Sequence, residues 1–326
     1  MNRSIKMFLS LFCFILIVNL LNSCTTVENP SPDLDYVDIP DVNFEKALIQ
    51  FKIDSEQDGK VLRSNVLKVT SLYMSSSLED SKNSYGKIKD LTGIEAFVNL
   101  KSLKCIHNEL TKLDISKNTA LTELWCSSNQ LVDIDVSNQT ALEVLRCGDN
   151  QLANLDITKN KALKELSCGV NKLTLLDISQ NTSLKRLNCE YNKFKNLDIS
   201  HNSELMYLSC SLNKLAALDL SSNTALVYLD CSSNDLTTLD LSKNSALGYL
   251  NCYDNKLVNL ELQKNTSIDV LNCIGNQLNS LDVSYIKDLT TLYCNNNNIQ
   301  TICVNSLSQV KPAWQKDTTA TYKVCP

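Results

Sequence analysis

The chain has 326 residues, 43% of them apolar, and a formal net charge of −5. This is enough apolar material for a large core in one elongated domain or two compact ones. Because lysine and arginine are not in excess, we do not expect a nucleic-acid partner.

Residues 1–24 are predicted to be a lipoprotein signal peptide. Arg3 and Lys6 precede the apolar run MFLSLFCFILIV, and Leu21-Asn22-Ser23-Cys24 follows it. A basic start, a short apolar stretch and small residues before a cleavage point are typical of a secretory leader, and the run is short for a membrane span. The end of the segment resembles a bacterial lipoprotein signal, which implies lipidation of Cys24. An ordinary cleaved leader or an uncleaved anchor is the alternative.

Residues 25–36 are predicted to be a flexible tether. The stretch TTVENPSPDLD is polar and contains two prolines, as expected of an extended linker. Residue 25 is Thr, and by resemblance to lipoproteins the lack of Asp there favours the outer membrane over the inner one. We therefore expect an outer-membrane lipoprotein, surface-exposed or periplasmic, that meets the membrane through its lipid anchor.

Residues 37–99 are predicted to form a small α/β cap with one or two degenerate coils. Apolar residues at helical spacing over 42–51, preceded by Asp41 as a plausible N-cap, indicate a helix. Asp54, Glu56, Asp58 and Gly59 resemble the start of a calcium-binding EF-hand loop. Position twelve of that loop is Asn65 instead of the bidentate Glu, so a surface turn is the preferred interpretation and a calcium site the weak alternative.

The central part of the chain, 100–305, repeats with a period of 21 residues. The repeating cysteines are Cys105, Cys126, Cys147, Cys168, Cys189, Cys210, Cys231, Cys252, Cys273 and Cys294. The repeating asparagines are Asn108, Asn129, Asn150, Asn171, Asn192, Asn213, Asn234, Asn255, Asn276 and Asn297. A fixed period of this length predicts a solenoid of about ten coils.

Each coil has the pattern L-x-x-L-x-C-x-x-N-x-L-x-x-L-D-[ILV]-S-x-N-x-x. Leu and Cys two residues apart lie on one face of a strand and point into the core. The pattern therefore predicts a mainly β fold with one parallel sheet, an Asn-marked corner, and a short extended segment on the opposite side. The ten cysteines are expected to be buried, reduced thiols, because parallel neighbours sit too far apart for disulfide geometry. The corner asparagines are expected to bond the main chain of a neighbouring coil.

An Asp follows the fourth Leu of the pattern in most coils, and two interpretations remain open. The row comprises Asp114, Asp135, Asp156, Asp177, Asp198, Asp219, Asp240, Glu261 and Asp282. In the first interpretation, Ser and Asn two and four residues later donate hydrogen bonds to each carboxylate and stabilise a turn. In the second, the row binds calcium.

The pattern L-x-x-L-x-C-x-x-N-x-L resembles the leucine-rich repeat with Cys in place of one Leu, and the 21-residue unit resembles the internalin J type of bacterial surface protein. This resemblance covers about residues 88–305. It implies a right-handed solenoid with a concave, non-catalytic surface for adhesion or recognition. We find no carboxy-terminal sorting motif of the kind such proteins carry, so attachment is expected through Cys24.

Residues 306–326 are predicted to cap the carboxy-terminal end. Cys303 and Cys325 lie outside the repeating row, and a disulfide between them would hold the last coil to the tail. Two free thiols are the alternative.

Because packing determines the buried positions, ligand specificity is expected in the outward residues of the concave strands. Tyr207, Tyr228 and Tyr249 fall on adjacent strands in one column, preceded by Arg186. Further candidates near this face are Trp125, Tyr191, Tyr253 and Tyr293. Exposed aromatic side chains favour recognition, although tyrosine is also a good strand residue and the column is equally compatible with cross-strand packing.

No catalytic motif is present: there is no G-x-S-x-G, no glycine-rich phosphate loop and no His-carboxylate pair at metal spacing. We therefore predict a protein that is not an enzyme and has no cofactor. The expected function is a monomeric, lipid-anchored scaffold that binds a protein or glycan through its concave face. The alternative is a structural spacer of the cell envelope.

Overall fold

The computed structural model describes residues 35–76 and 85–325. The predicted leader, the predicted lipidation site Cys24 and residues 25–34 of the predicted tether lie outside the described residues. Residue 36 belongs to a strand, so the folded part begins within the range 25–36 predicted as tether.

A parallel sheet of eleven strands runs along the described chain, with one strand for each coil. Its strands are β3 (Ser71–Tyr73), β4 (Ser102–Lys104), β5 (Glu123–Trp125), β6 (Val144–Arg146), β7 (Glu165–Ser167), β8 (Arg186–Asn188), β9 (Tyr207–Ser209), β10 (Tyr228–Asp230), β11 (Tyr249–Asn251), β12 (Val270–Asn272) and β14 (Thr291–Tyr293). From β4 onward, neighbouring strands pair residue i with residue i+21. The fold is therefore a mainly β solenoid of about eleven turns: the repeat predicts about ten, and β3 adds one from within the range predicted as cap.

Alternation along each strand places the central Leu and the following Cys in the core. The strand leucines, such as Leu187 and Leu229, are fully buried, and so are Cys189 and Cys231. All ten cysteines of the row are buried free thiols. Burial raises the pKa of the Cys189 thiol to about 12, so the thiolate is not formed at neutral pH.

The corner asparagines bond the main chain of two coils at once. The Asn129 amide nitrogen donates to the carbonyl oxygens of Cys105, Cys126 and Ser127 at 2.9 to 3.2 Å. The Asn129 amide oxygen accepts from the Leu110 N–H at 3.1 Å. This carboxamide thus satisfies backbone groups that have left the sheet, which confirms the predicted role of the row.

The residue before each corner asparagine has a left-handed backbone. We call these positions the corner column: His107, Ser128, Asp149, Val170, Tyr191, Leu212, Ser233, Asp254, Gly275 and Asn296, with φ between 50° and 67°. An L-residue pays steric strain in this region, and Gly, Asn and Asp tolerate it best.

A second row of buried amides lies at the return turn of each coil. Its members are Asn118, Gln139, Asn160, Asn181, Asn202, Asn223, Asn244 and Asn265, all fully buried. The Asn202 amide nitrogen, for example, donates to the carbonyl oxygens of Ile178 and Asn181 at 3.1 and 2.9 Å. The sequence predicts that these asparagines bond the Asp carboxylates, and that prediction is wrong. Buried backbone carbonyls need a donor far more than a solvated carboxylate does.

The coil that ends the row has Ile286 where the pattern places an asparagine. The next repeat position is Leu307, and there Gln309 supplies the buried amide, donating to the carbonyl oxygens of Val283 and Ile286 at 2.9 and 2.8 Å. Gln309 is the last residue of a 3₁₀ turn, Leu307–Gln309, and its side chain is buried.

Strands occur on the convex side at the carboxy-terminal end of the described chain. β13 (Ser280–Asp282), β15 (Thr301–Val304) and β16 (Thr321–Val324) form a three-stranded parallel sheet. In the preceding coils the corresponding segments end in hydrogen-bonded turns without strand pairing. The extended convex segments that the pattern predicts therefore form a sheet where the tail adds a third strand.

The amino-terminal part contains a two-stranded antiparallel sheet and two short helices. β1 (Tyr36–Asp38) pairs with β2 (Lys60–Leu62), while α1 (Val42–Gln50) and α2 (Arg63–Val66) lie nearby in sequence. Asp41 caps α1 by accepting from the N–H groups of Asn43 and Phe44, as predicted. Within the described residues, no helix is both long and apolar enough to cross a membrane.

The carboxy-terminal tail imitates one further coil. Gln315 pairs with Tyr293 of β14, and β16 pairs with β15 on the opposite side. The Asp317 carboxylate accepts from the N–H groups of Asn296 and Asn297 at 2.8 and 3.0 Å, and so caps the exposed corner. Cys303 and Cys325 form a disulfide with a Cα–Cα distance of 5.4 Å, the same pairing that the sequence suggests.

Candidate functional site: the concave face

The three predicted tyrosines form a continuous stack on the concave sheet. We call Tyr207, Tyr228 and Tyr249 the tyrosine column; they are the first residues of β9, β10 and β11 and pair in register. Neighbouring ring centroids are 4.2 and 4.4 Å apart, with interplanar angles of 10° and 5°. The Arg186 guanidinium covers the outer face of Tyr207 at 4.3 Å from the ring centroid.

This stacking decides what the column can offer to a ligand. Ring faces that lie against each other or under Arg186 are not open to a second flat partner. The three side chains are half-buried, so part of each ring remains exposed on the concave side. Burial raises the pKa of the Tyr228 and Tyr249 hydroxyls, so both are neutral hydrogen-bond donors and acceptors at physiological pH.

Polar side chains border the tyrosine column at the far end of the same strands. These are Ser209, Asp230 and Asn251. Asp230 accepts from the N–H and hydroxyl of Ser232 at 3.0 and 2.6 Å. The border is therefore held in place by local hydrogen bonds, and it combines with the rings into an aromatic and polar surface.

Trp125 lies in a separate cluster nearer the amino terminus. Its ring lies between the Lys104 ammonium and the Arg146 guanidinium, at 3.7 and 4.0 Å from the centroid. The Glu123 carboxylate forms an ion pair with the Lys104 ammonium at 3.0 Å. The Glu165 Oε1 oxygen contacts two guanidinium nitrogens of Arg146, Nη2 and Nε, each at 2.7 Å. The faces of Trp125 are thus occupied by neighbours on adjacent strands, and this cluster is charged and internally neutralised.

The remaining predicted tyrosines do not join the tyrosine column. Tyr293 is the last residue of β14 and is half-buried, whereas Tyr253 lies two residues beyond the end of β11. Tyr191 lies in the corner column with φ of 50° and is 57% exposed. The structure therefore separates Tyr191 and Tyr253 from the concave strands.

The calcium-like loop forms hydrogen bonds of its own. Glu45, a buried residue of α1, accepts from the N–H groups of Asp58 and Gly59. Asn65, at the twelfth loop position, donates to the Ile53 carbonyl oxygen at 3.0 Å. In residues 35–76 and 85–325, no group of three or more His, Cys, Asp or Glu side chains is arranged to hold a metal ion.

The Asp row of the convex side stabilises turns. Asp135, for example, accepts from the Ser137 N–H at 2.8 Å, and Asp198 accepts from the N–H and hydroxyl of Ser200. Hydrogen bonds from Ser137 hold the pKa of Asp135 below its usual value. This arrangement matches the turn interpretation with Ser as the donor and without the predicted contribution from Asn.

Lys104 and Arg146 belong to no motif in the sequence and were not predicted as site residues. Both residues are 21 positions from Trp125, and residues at that separation lie side by side on neighbouring coils. A comparison of residues 21 positions apart would therefore have identified them.

Eleven parallel strands, a buried cysteine row and an asparagine ladder define a leucine-rich repeat solenoid of the cysteine-ladder type. The functional domain of InlJ from Listeria monocytogenes, which also includes a cysteine ladder, is similar to the chain at 35% identity and a TM-score of 0.77. The match covers 88% of this chain and 61% of that one, so the chain spans less than two thirds of the InlJ domain.

Two further structures share the fold at lower identity. An internalin, InlF, from the same species matches at 19% identity with a TM-score of 0.66 over 87% of this chain and 95% of that one. The leucine-rich repeat protein LIC12759 of Leptospira interrogans matches at 23% identity with a TM-score of 0.63 over 72% and 62%. No protein-family model and no curated protein sequence matches the chain.

Proposed function

We propose that the chain is a recognition protein of the bacterial cell envelope that binds a protein ligand through the tyrosine column. The fold is one that is commonly used in protein recognition and adhesion, because a curved solenoid presents an extended concave surface. Its structural neighbours are recognition or adhesion proteins of this class and not enzymes. The single observation that supports the site is the stacked column of Tyr207, Tyr228 and Tyr249.

The stacking favours a protein ligand over a glycan. A sugar ring usually packs on an open aromatic face, and the faces within this column are 4.2 to 4.4 Å from each other. Rigid ring edges and hydroxyl groups next to Asp230 and Asn251 suit the main-chain and side-chain hydrogen bonds of a protein. The column also costs little conformational entropy on binding, because its rings are already ordered by stacking.

Attachment to the outer membrane through a lipid on Cys24 belongs to the same proposal. Its support is the leader pattern ending at Cys24 and the polar, proline-containing segment after it. In fractionated cells, Cys24→Ala is expected to shift the protein from the membrane to the soluble fraction. Equal membrane retention of both forms would contradict the anchor.

The test of the binding face compares two triple variants in a panel of purified envelope and extracellular-matrix proteins and on a glycan array. Tyr207→Ser, Tyr228→Ser and Tyr249→Ser remove the column, and serine already occupies the equivalent position at Ser102. Thr174→Ser, Ala216→Ser and Thr237→Ser change exposed convex positions and serve as the matched control.

We expect a protein ligand whose affinity falls at least tenfold in the tyrosine variant and is unchanged in the control. Circular dichroism establishes that both variants are folded. Binding of glycans alone would overturn the ligand class, and protein binding that survives loss of the column would overturn the site. No binding to any probe would favour the structural spacer.

A further inference from the structure

A second surface stands out at the corner that follows the concave strands. In three consecutive coils the corner column carries large apolar residues, Val170, Tyr191 and Leu212. They are 39%, 57% and 49% exposed. The other members of the column are His, Ser, Asp, Gly and Asn, which are small or polar. We call these three apolar residues the corner stripe.

Two residues further along, the same three coils carry Lys172, Lys193 and Lys214, all exposed. We call them the lysine column. Lys172 contacts the Gln151 side chain at 3.1 Å, an uncharged partner. The preceding and following coils have Gln151 and Asp235 at this position, and Asp235 already pairs with Lys256 at 2.6 Å. The positive column therefore coincides with the corner stripe and ends where the stripe ends.

The corner stripe and the lysine column both destabilise the isolated chain. Left-handed backbone is strained for Val, Tyr and Leu, and the strain is worst for a β-branched side chain. Exposed apolar surface and three adjacent positive charges add unfavourable hydration and repulsion. Strain and exposure that coincide in one patch are typical of a binding surface.

We propose that the corner stripe and lysine column dock an amphipathic helix with an acidic flank, supplied by a partner protein. A partner that contacts the stripe through apolar side chains also needs negative charge beside them, because three lysines lie next to the stripe. Glu190, next to Tyr191, lies on the concave side and bonds to Asn188 and Ser209, so it marks the border of the patch.

The spacing of the coils selects a helix over an extended segment. Backbone bonds continue through the corner, with the N–H groups of Val170 and Tyr191 donating at 2.9 Å to carbonyls of the next coil. Coils therefore repeat at about the 4.8 Å spacing of parallel strands. A helix presents one residue per turn of about 5.4 Å, so over three coils it drifts by roughly 1 Å. An extended chain presents a side chain to one face every ~6.7 Å and drifts by roughly 4 Å.

The probe is a synthetic, fluorescein-labelled 18-residue peptide rich in alanine, with Leu at i, i+4, i+7 and i+11 and Glu beside them. Its binding to the full chain is measured by fluorescence anisotropy at two salt concentrations. A peptide with Lys in place of Glu and one with the Leu positions scrambled are the peptide controls. Anionic vesicles of phosphatidylglycerol and phosphatidylcholine are tested as the competing partner.

The protein variants are chosen to keep the fold. Val170→Asn, Tyr191→Asn and Leu212→Asn insert a residue that Asn296 shows at the same backbone position. Lys172→Gln, Lys193→Gln and Lys214→Gln remove the charge and copy the side chain of Gln151. The Tyr207, Tyr228 and Tyr249→Ser variant separates this surface from the concave face.

We expect the Glu peptide to bind the full chain, more weakly at high salt. Its affinity should fall at least tenfold for the Asn variant of the corner stripe and for the Gln variant of the lysine column. The tyrosine variant should bind normally, so a failure of the concave-face proposal would leave this result intact. Three results would overturn the docking site: no binding of the Glu peptide, equal binding to the corner variants, or capture of vesicles in place of the peptide.

Discussion

At the scale of single residues, one position has the same left-handed backbone in ten coils but carries very different side chains. The corner column is left-handed throughout, yet it includes Val170, a residue type that tolerates this conformation poorly. Val170 is exposed, so packing in the core does not require an apolar side chain at this position. Residue identity there follows from something other than folding stability, which is the basis for assigning the corner stripe to binding.

Relief of this strain is measurable. Val170→Asn is expected to stabilise the protein by about 1 kcal/mol, since asparagine adopts left-handed backbone more easily than valine. Gly275→Val should destabilise it by about 1 to 2 kcal/mol. The cause would be backbone strain at a φ of 67° and not a steric clash, because an added Cβ meets only ordinary contacts of 3.6 Å or more. Urea unfolding measures both changes.

Val132→Asn is the matched control, since Val132 is 63% exposed and lies outside the left-handed positions. Its effect should stay within about 0.5 kcal/mol. A Val170→Asn protein less stable than the parent would show that the valine is favoured by packing.

At the scale of the repeating element, most coils close with a turn that an Asp carboxylate stabilises. Hydrogen bonds from Ser137 lower the pKa of Asp135, and those from Ser179 lower the pKa of Asp177. A carboxyl whose pKa is lower in the folded than in the unfolded state stabilises the fold above the unfolded pKa of about 3.9. That stabilisation is lost as the pH falls through the folded pKa.

The melting temperature should therefore change little between pH 7 and 5 and fall below about pH 4. Asp135→Asn with Asp177→Asn should reduce this fall, because an amide oxygen also accepts the turn hydrogen bond and does not titrate. Asp133→Asn with Asp288→Asn removes the same charge from exposed positions outside the row. If both double variants followed one melting profile from pH 7 to 3, the turns would not contribute to acid sensitivity.

At the scale of the whole molecule, the solenoid behaves as a one-dimensional stack whose ends are its weak points. The carboxy-terminal end is covered by Trp314 and β16, and the disulfide between Cys303 and Cys325 ties that cover to the last coil. The bridge spans 22 residues of sequence. In the loop-entropy view, a closed loop of this size contributes about 3 kcal/mol.

Cys303→Ser with Cys325→Ser should therefore release the tail before the coils unfold. Limited trypsin digestion should cleave at Lys316 or Lys323 at least tenfold faster in the double variant, as read by mass spectrometry. Dithiothreitol should speed cleavage of the parent and leave the variant unchanged. If the oxidised parent and the variant were cleaved equally fast, the bridge would not secure the tail.

Local patterns determined most of this fold in advance. The 21-residue period, the alternation of Leu and Cys, and the corner Asn each depend on an environment that every coil repeats. The second amide row escaped prediction, because its partners are carbonyls 21 and 24 residues earlier in the chain, for example Asn181 and Ile178 for Asn202. The pattern records the asparagine but does not say whether it bonds within its own turn or across coils.

The candidate sites divide in the same way. The sequence by itself determined that Tyr207, Tyr228 and Tyr249 share a column, because outward positions recur with the period of the repeat. The tertiary structure alone decided that these rings stack face to face, that Lys104 and Arg146 enclose Trp125, and that Tyr191 belongs to a corner stripe. The physical reason is range: which face a side chain takes is a local property of the strand, whereas its contacts depend on residues that lie one coil away.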